Sequence, residues 1–412
     1  MKAAPARIAL IGVGGYGRIH LQLIETLAQE GLAELIAVAD PHLAQMSDVR
    51  ADLISRRIRC YETYQRLLAE EMEIDLLVIA SPIPLHEPMV RAALARGVNV
   101  YLEKPPVPTI QQLLELIRLD REERVTVGFQ MIQFPQVQQL KHWIVSGSLG
   151  DIRQITATAC WPRGSEYYGR ASWAGRLLLG EAPVFDGPAS NALAHLVQLI
   201  MYFGVDGSPG FAVPHWVQGE FYRLRPIESY DFAGLAGGFS GGACFTALLG
   251  HCSQKGEPYT LRVEGTKGAA WLADDGATLG NDCGLAGMSS CEFNPMASIR
   301  FYREVLRRIR ENEPPIVSLR DCLGYSKTVC GGLISSGGIH TLDGPEVVIG
   351  GEETNLIYEL VDVAEVFQRT KADASLPSAQ HWPWAVPGSR VLTEDVTFID
   401  LSSRPEKVSV AG

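Results

Sequence analysis

The sequence predicts an α/β chain: a doubly wound parallel sheet, then a second, α+β domain built on a large, mostly antiparallel sheet. Three observations predict it. Short apolar runs alternate with helical patterns from Arg7 to about Phe129, an order that lays helices on both faces of a parallel sheet. The first run, Ile8 to Ile11, breaks into Gly12-x-Gly14-x-x-Gly17 and then into a helix. Beyond Phe129 the runs lengthen and glycines separate them, as in antiparallel sheets. At 412 residues two domains are expected, with the boundary placed at 127/128 and an extension beginning near Gly344.

The opening stretch is RIALIGVGGYG, Arg7 to Gly17. Gly12 lets the chain turn off the strand, Gly14 lets backbone approach a pyrophosphate, and Gly17 lets the helix pack closely. The helix directs its partly positive N-terminus at that site. Gly12, Gly14, Gly15, Tyr16 and Gly17 therefore form a candidate phosphate loop. A second apolar run, Leu35 to Ala39, ends in Asp40, 23 residues after Gly17. An acid there accepts hydrogen bonds from the adenosine ribose and repels a 2′-phosphate. The expected cofactor is NAD rather than NADP, on a Rossmann sheet.

The rest of that sheet reads in order. Pro41 opens a helical segment through Leu53, and Ile58 to Tyr61 is a short strand. Arg56, Arg57 and Arg59 are taken as a solvated face rather than an anion site. Thr63 to Glu71 is a helix, and Asp75 to Ala80 a buried parallel strand ending at Ser81-Pro82. Leu85 to Arg96 is a helix closed by Gly97. Asn99 to Leu102 is a strand running into Glu103-Lys104-Pro105-Pro106, where two prolines stop the ladder and leave Lys104 at the sheet's end. Thr109 caps a helix to Glu123, and Val125 to Phe129 is the sixth strand.

The second part opens with a helix, Gln136 to Val145, and a strand, Ile152 to Cys160. A loop carrying Trp161, Arg163, Tyr167, Tyr168, Arg170, Trp173 and Arg176 follows. Functional loops have this composition, and so do packed surface loops. A helix is expected from Asn191 to Phe203, and long strands over Trp216–Ile227, Asp231–His251 and Tyr259–Leu272. Further helices are expected over Ala297–Glu311, Leu319–Ser335 and Asn355–Arg369. A proline- and tryptophan-bearing segment lies around Trp382 to Pro387.

Composition limits the partners. Net charge is −11, and no basic block is long enough to track a phosphate backbone, so neither nucleic acid nor an anionic membrane is expected. No apolar run would span a bilayer. The first strand begins within ten residues of Met1, leaving no room for a signal peptide. The eight cysteines (60, 160, 244, 252, 283, 291, 322 and 330) form no C-x-x-C pair and read as reduced, mostly buried thiols of a cytoplasmic protein. No metal site is expected.

Several stretches together resemble the Gfo/Idh/MocA oxidoreductases, the family of glucose–fructose oxidoreductase and inositol dehydrogenase. They are GVGGYG; SPIPLHEP with His86; GVNVYLEKP with Lys104; VEGTKGAAWL, Val263 to Leu272; and NALAHLVQ, Asn191 to Gln198. The resemblance covers roughly the first 340 residues. It implies hydride transfer between a nicotinamide and a carbon of a sugar, polyol or sugar acid, in a homo-oligomer joined through the second domain's sheet. Lys104 matches the family's active-site lysine and His195 its acid–base histidine. Glu103, Ser81 and His86 would border the cofactor, and Arg163, Tyr168, Trp173 and Asn191 are the candidate substrate contacts.

Alcohol oxidation needs a base for the hydroxyl proton while hydride leaves the same carbon. His195 is suited near neutral pH, though on its apolar helix a hydrogen-bonded core histidine reads the same way. Lys104 reads equally as a surface lysine at a strand end. The family's aspartate four residues before the histidine is Asn191 here. Residues four apart share a helix face, so Asn191 is either a ligand beside His195 or the cap of that helix. Three functions stay open: a sugar dehydrogenase, a relative using bound NAD transiently for a net non-redox reaction, and a silent dinucleotide-binding regulator.

Overall fold

The computed structural model describes residues 4–205, 210–286 and 295–402. The chain divides into two compact units, 1–107 with 112–133 and 294–320, and 108–111 with 134–293 and 321–412.

In the first unit β1 (Ala6–Ile11), α1 (Gly17–Gln29), β2 (Ala33–Ala39), α2 (Ser47–Ser55) and β3 (Arg59–Tyr61) lead to α3 (Tyr64–Glu70). Then come β4 (Leu76–Ile79), α4 (His86–Leu94), β5 (Asn99–Leu102), α5 (Ile110–Leu119) and β6 (Val125–Val127). All six strands are parallel, in the order β3-β2-β1-β4-β5-β6. With both sheet faces covered, β4 is an unbroken apolar run, every residue of it buried. The order reverses between β1 and β4, and ligands of such sheets sit outside the carboxyl ends of the strands at that reversal. Gly12, Asp40, Ser81 and Lys104 all follow such carboxyl ends.

Helix α5 stops at Leu119, short of Glu123. The Asp120 carboxylate accepts from the amides of Arg124 and Val125, at 2.8 and 3.1 Å, and turns the chain into β6.

The second unit contains α6 (Pro135–Val145), β7 (Ile152–Cys160), α7 (Ser165–Gly169), the short pair β8 (Leu178–Leu179) and β9 (Ala182–Pro183), and α8 (Ala194–Phe203). Next are β10 (Trp216–Arg223), β11 (Phe232–Gly238), β12 (Cys244–Gly250), β13 (Glu257–Gly265), β14 (Gly268–Ala273) and β15 (Thr278–Asn281). Helix α9 (Ile299–Glu311) returns to the first unit, where Arg303 pairs with Glu30 and Arg310 donates to the Leu32 carbonyl. A boundary at 127/128 leaves this helix out. The second unit closes with α10 (Leu323–Ser336), β16 (His340–Thr341), β17 (Val347–Glu352), β18 (Asn355–Leu360), α11 (Val363–Asp373) and β19 (Val391–Leu392).

Nine strands make its large sheet, in the order β15-β14-β13-β7-β12-β11-β10-β16, with β19 also beside β10. Among the described residues only its β7–β12 and β10–β16 pairings are parallel. Tyr222, Phe232 and Leu248 from this sheet join Val363, Val366 and Phe367 of α11 in one core cluster, with Trp382 and Trp384 packed against it. The segment after Gly344 thus adds core to the second unit.

Two expected helices are different here. Residues 355–360 form β18, paired with β17, and the helix begins only at Val363. Leu356, Ile357 and Tyr358 are all half-buried, so the strand shows no in–out alternation. The Asn191–Phe203 helix is split. A π turn runs Pro188–Ala192, Leu193 breaks the backbone at φ −108°, ψ 16°, and α8 starts at Ala194. Asn191 is therefore neither on the face of His195's helix nor its cap.

Among the described residues no helix is long and apolar enough to cross a membrane. Cys160, Cys252, Cys322 and Cys330 are buried free thiols, Cys244 and Cys283 half-buried and Cys60 exposed; Cys291 lies outside the described residues.

Candidate active site

In the first unit the glycines hold the loop as their spacing suggests. Gly12 sits at φ +85°, and a Cβ there would lie 2.6 Å from the Ala80 carbonyl oxygen. A Cβ on Gly17 would run into the Gly12 carbonyl. At Gly14 it would meet only the flexible end of Met46, and at Gly15 nothing within 4 Å. The loop's outer side is thus open where backbone must approach a ligand. Asp40 is buried, and its carboxylate accepts from the amides of Val13 at 2.9 Å and His42 at 2.8 Å. It shapes the loop. The Ser81 hydroxyl and the Gln130 carbonyl oxygen are buried and have no hydrogen-bond partner among the described residues. Open loop, acid and unmatched polar atoms fit a bound dinucleotide.

Glu103 turns into a buried polar cluster. Its carboxylate lies 3.2 Å from His20 Nε2 and accepts from the Lys104 amide at 3.1 Å. His20 Nδ1 lies 2.6 Å from the Tyr302 hydroxyl, and Tyr302 stacks on Tyr101 with ring centroids 4.8 Å apart. Tyr16 accepts from Gln130 at 3.1 Å, and burial followed by the Glu103 charge raises its pKa. His20 and Tyr302 are far from Glu103 in sequence, and no motif announces them.

His86 is buried and clamps the lysine loop. Its Nδ1 lies 3.0 and 3.2 Å from the carbonyls of Pro105 and Pro106, and its Nε2 lies 2.9 Å from the Ser81 carbonyl. Burial outweighs these acceptors and lowers its pKa. The Lys104–Pro105 bond is cis.

In the second unit His195 lies in the first turn of α8, half-buried between Ala194 and Leu196, which are fully buried. Asn191 donates to Asp186 Oδ1 at 2.7 Å. Asp186 is buried, accepts from the Gly175 amide at 2.7 Å, and lies 3.6 Å from Arg170. The Arg170 guanidinium covers the rings of Tyr167 and Trp173, 3.6 and 4.7 Å from their centroids. Tyr168 lies 2.8 Å from His251 Nδ1 and under Arg225, which is buried against Asp231 at 2.6 Å. Arg225 also donates to the Arg163 carbonyl at 2.7 Å. The four candidate substrate contacts, Arg163, Tyr168, Trp173 and Asn191, are thereby joined in one chain of contacts. Asp186, Arg170, Arg225 and His251 lie in the same chain of contacts. Arg170 had a signal in its loop; the others are brought in by the fold.

Burial, then the charges of Arg163, Arg225 and Arg170, push the His251 pKa well below the usual value. His86 is shifted the same way, with Glu103 opposing. Both therefore bind a proton less readily in the fold than in the unfolded chain, where a histidine protonates near pH 6.5. The unfolded chain therefore binds more protons below that pH, and stability falls as pH drops through 6.5, by up to about 1.4 kcal/mol per pH unit for each. Thermal unfolding between pH 7.5 and 5 should show a falling Tm. His251→Gln should flatten the slope, and an unaltered slope would take His251 out of the linkage.

Residues 6–131 match the oxidoreductase family with an NAD-binding Rossmann fold, Gfo/Idh/MocA, and residues 137–271 match that family's C-terminal domain. The chain belongs to the Gfo/Idh/MocA oxidoreductase family. Inositol 2-dehydrogenase 4 of Saccharopolyspora erythraea is 31% identical over 147 residues, 35% of this chain and 42% of that protein. The rhizopine catabolism protein MocA of Rhizobium meliloti is 30% identical over 152 residues, 36% of this chain and 45% of that one. The matches thus span less than half the length of these relatives. The WlbA dehydrogenase from Bordetella pertussis, solved with NADH and UDP-GlcNAcA, shares the fold at a TM-score of 0.68 and 21% identity, over 81% of this chain and 97% of that one. Myo-inositol 2-dehydrogenase from Lactobacillus plantarum shares it at a TM-score of 0.64 and 20% identity, over 81% and 97%.

Proposed function

We propose that this family member is an NAD-dependent oxidoreductase that transfers hydride between nicotinamide and a CH–OH carbon of a sugar, polyol or sugar acid. The observation that carries the reading is the open glycine loop at the sheet's reversal, with Asp40 beside it. Bound NAD would supply the hydride acceptor. The loop residues Gly12, Gly14, Gly15, Tyr16 and Gly17 hold the pyrophosphate end, with Ser81 and His86 shaping the next strand end. Lys104 donates to the substrate oxygen, and His195 takes the hydroxyl proton. These two roles rest on the family resemblance. By the same resemblance the protein is a homo-oligomer joined through its large sheet. Screening sugars, polyols and sugar acids for NADH release, beside mass analysis of products and of any co-purifying cofactor, tests the reading. Product formed without NADH release would favour transient use of bound NAD.

NAD should bind more tightly than NADP, by about tenfold or more, because the Asp40 carboxylate would meet a 2′-phosphate with like charge. Titration of both cofactors checks this. Equal or tighter NADP binding would show that Asp40 serves only the Val13 and His42 amides.

A further inference from the structure

The arginine-rich loop bears on the charge of the substrate. Three guanidinium groups, of Arg163, Arg170 and Arg225, act on the buried His251. Two have carboxylates: Arg225 has Asp231, and Arg170 has Asp186. Arg163 has none within 4.0 Å among the described residues. Its Nη1 donates to the Pro162 carbonyl at 3.0 Å, while its Nε is buried and has no acceptor there. The guanidinium lies 5.7 and 4.9 Å from the ring centroids of Trp161 and Tyr167. A buried donor left unmatched is costly, and a guanidinium beside aromatic rings is suited to a planar anion.

A second observation concerns what stands next to it. The β17–β18 hairpin lies outside the 137–271 stretch that matches the family's C-terminal domain, and it folds onto this loop. Asn355 Oδ1 accepts from the Glu166 amide at 3.1 Å, the Ser165 hydroxyl donates to the Leu356 carbonyl at 3.3 Å, and the Leu360 amide donates to the Cys252 carbonyl at 3.1 Å. Tyr358 lies on the Arg225 guanidinium, 5.5 Å from the ring centroid. The hairpin adds a wall to the arginine loop at Ser165, Glu166 and Arg225.

We propose that Arg163, in the loop walled by this hairpin, binds a carboxylate on the substrate, so that the preferred substrates are sugar acids and not neutral sugars or polyols. The inference rests on the oxidoreductase reading for the word substrate; the binding itself does not. One unmatched positive charge balances one carboxylate, and the guanidinium fork meets it through paired donors. The ring face of a sugar then has Trp161 for contact.

The test uses the whole protein with NAD. Calorimetry gives the affinity for a panel of hexuronates and aldonates and for the matching neutral hexoses, with NADH release followed in parallel. An acid of the panel should bind at least about tenfold more tightly than its neutral counterpart, and added salt should weaken only the acid. Arg163→Gln should cut the acid-to-hexose preference by about 10–100-fold, and Arg163→Lys should restore part of it. Thermal unfolding of both variants confirms that they are folded. Arg163-dependent acid binding without NADH release would uphold the subsite and overturn the oxidoreductase reading. NADH release from neutral sugars, with a preference that Arg163→Gln leaves unchanged, would overturn the subsite alone. Binding of no acid in the panel would overturn it too.

Discussion

Lys104→Met should lower turnover by about 10²–10⁴-fold while leaving NAD affinity within about tenfold. Methionine keeps the length of the side chain and removes its donors. The loop has contacts that do not involve the ammonium group. It is the Lys104 main-chain amide that donates to Glu103, and His86 faces the carbonyls of Pro105 and Pro106. The loss should therefore be one of chemistry with the loop intact. Steady-state NADH production and cofactor titration separate the two quantities. Turnover near that of the parent would leave Lys104 as a surface lysine, and a lost NAD affinity would mean that it anchors the cofactor.

Asn191→Asp should be nearly as informative, because of its neighbour. Asn191 Nδ2 donates to Asp186 at 2.7 Å, so the substitution sets two carboxylates against each other. Such a pair holds one proton up to a higher pH than either group alone and titrates as a unit. Two effects are expected. kcat/KM should fall by a factor equivalent to about 1–3 kcal/mol, and the acidic limb of the pH–rate profile should move upward. Stability relative to the parent should recover as pH falls, since the folded pair binds a proton more readily than the unfolded carboxyl groups do. That slope is opposite to the one the buried histidines impose. An unchanged pH–rate profile with unchanged kcat/KM would remove Asn191 from the site.

Much of the first unit is legible in the sequence because its signals are local. The glycine turn, the acid at the end of β2 and the apolar run of β4 each act within a few residues, and the strand Asn99–Leu102 is found with its expected bounds. The arginine and aromatic content of residues 161–176 marks that loop in the same local way. What is not legible depends on distant partners or on broken regularity. Asp186 stays hidden because a continuous helix from Asn191 would place the key group four residues before His195. The π turn breaks that helix, and the turn is held from far away: the Ser190 amide donates to Tyr230, and Tyr325 donates to the Ser190 carbonyl. His20 escapes notice because its partners, Glu103 and Tyr302, lie 83 and 282 residues away. The strand at 355–360 is misread as helix because half-burial on both faces erases the period of two.

The return of α9 to the first unit bears on how the protein is made. A nascent chain released up to residue 133 has its six parallel strands but neither Tyr302 to meet His20 nor Val317, whose carbonyl accepts from the Val127 amide. Those partners arrive only when the ribosome has passed residue 320. By then the nine-residue strand β7 and the long strands after it have already been synthesised. Domains usually mature in order of synthesis, but here the first-born module is completed late. An N-terminal fragment ending at residue 133 therefore lacks part of the first unit. A hybrid enzyme built by joining segments would have to exchange 294–320 together with the beginning of the chain.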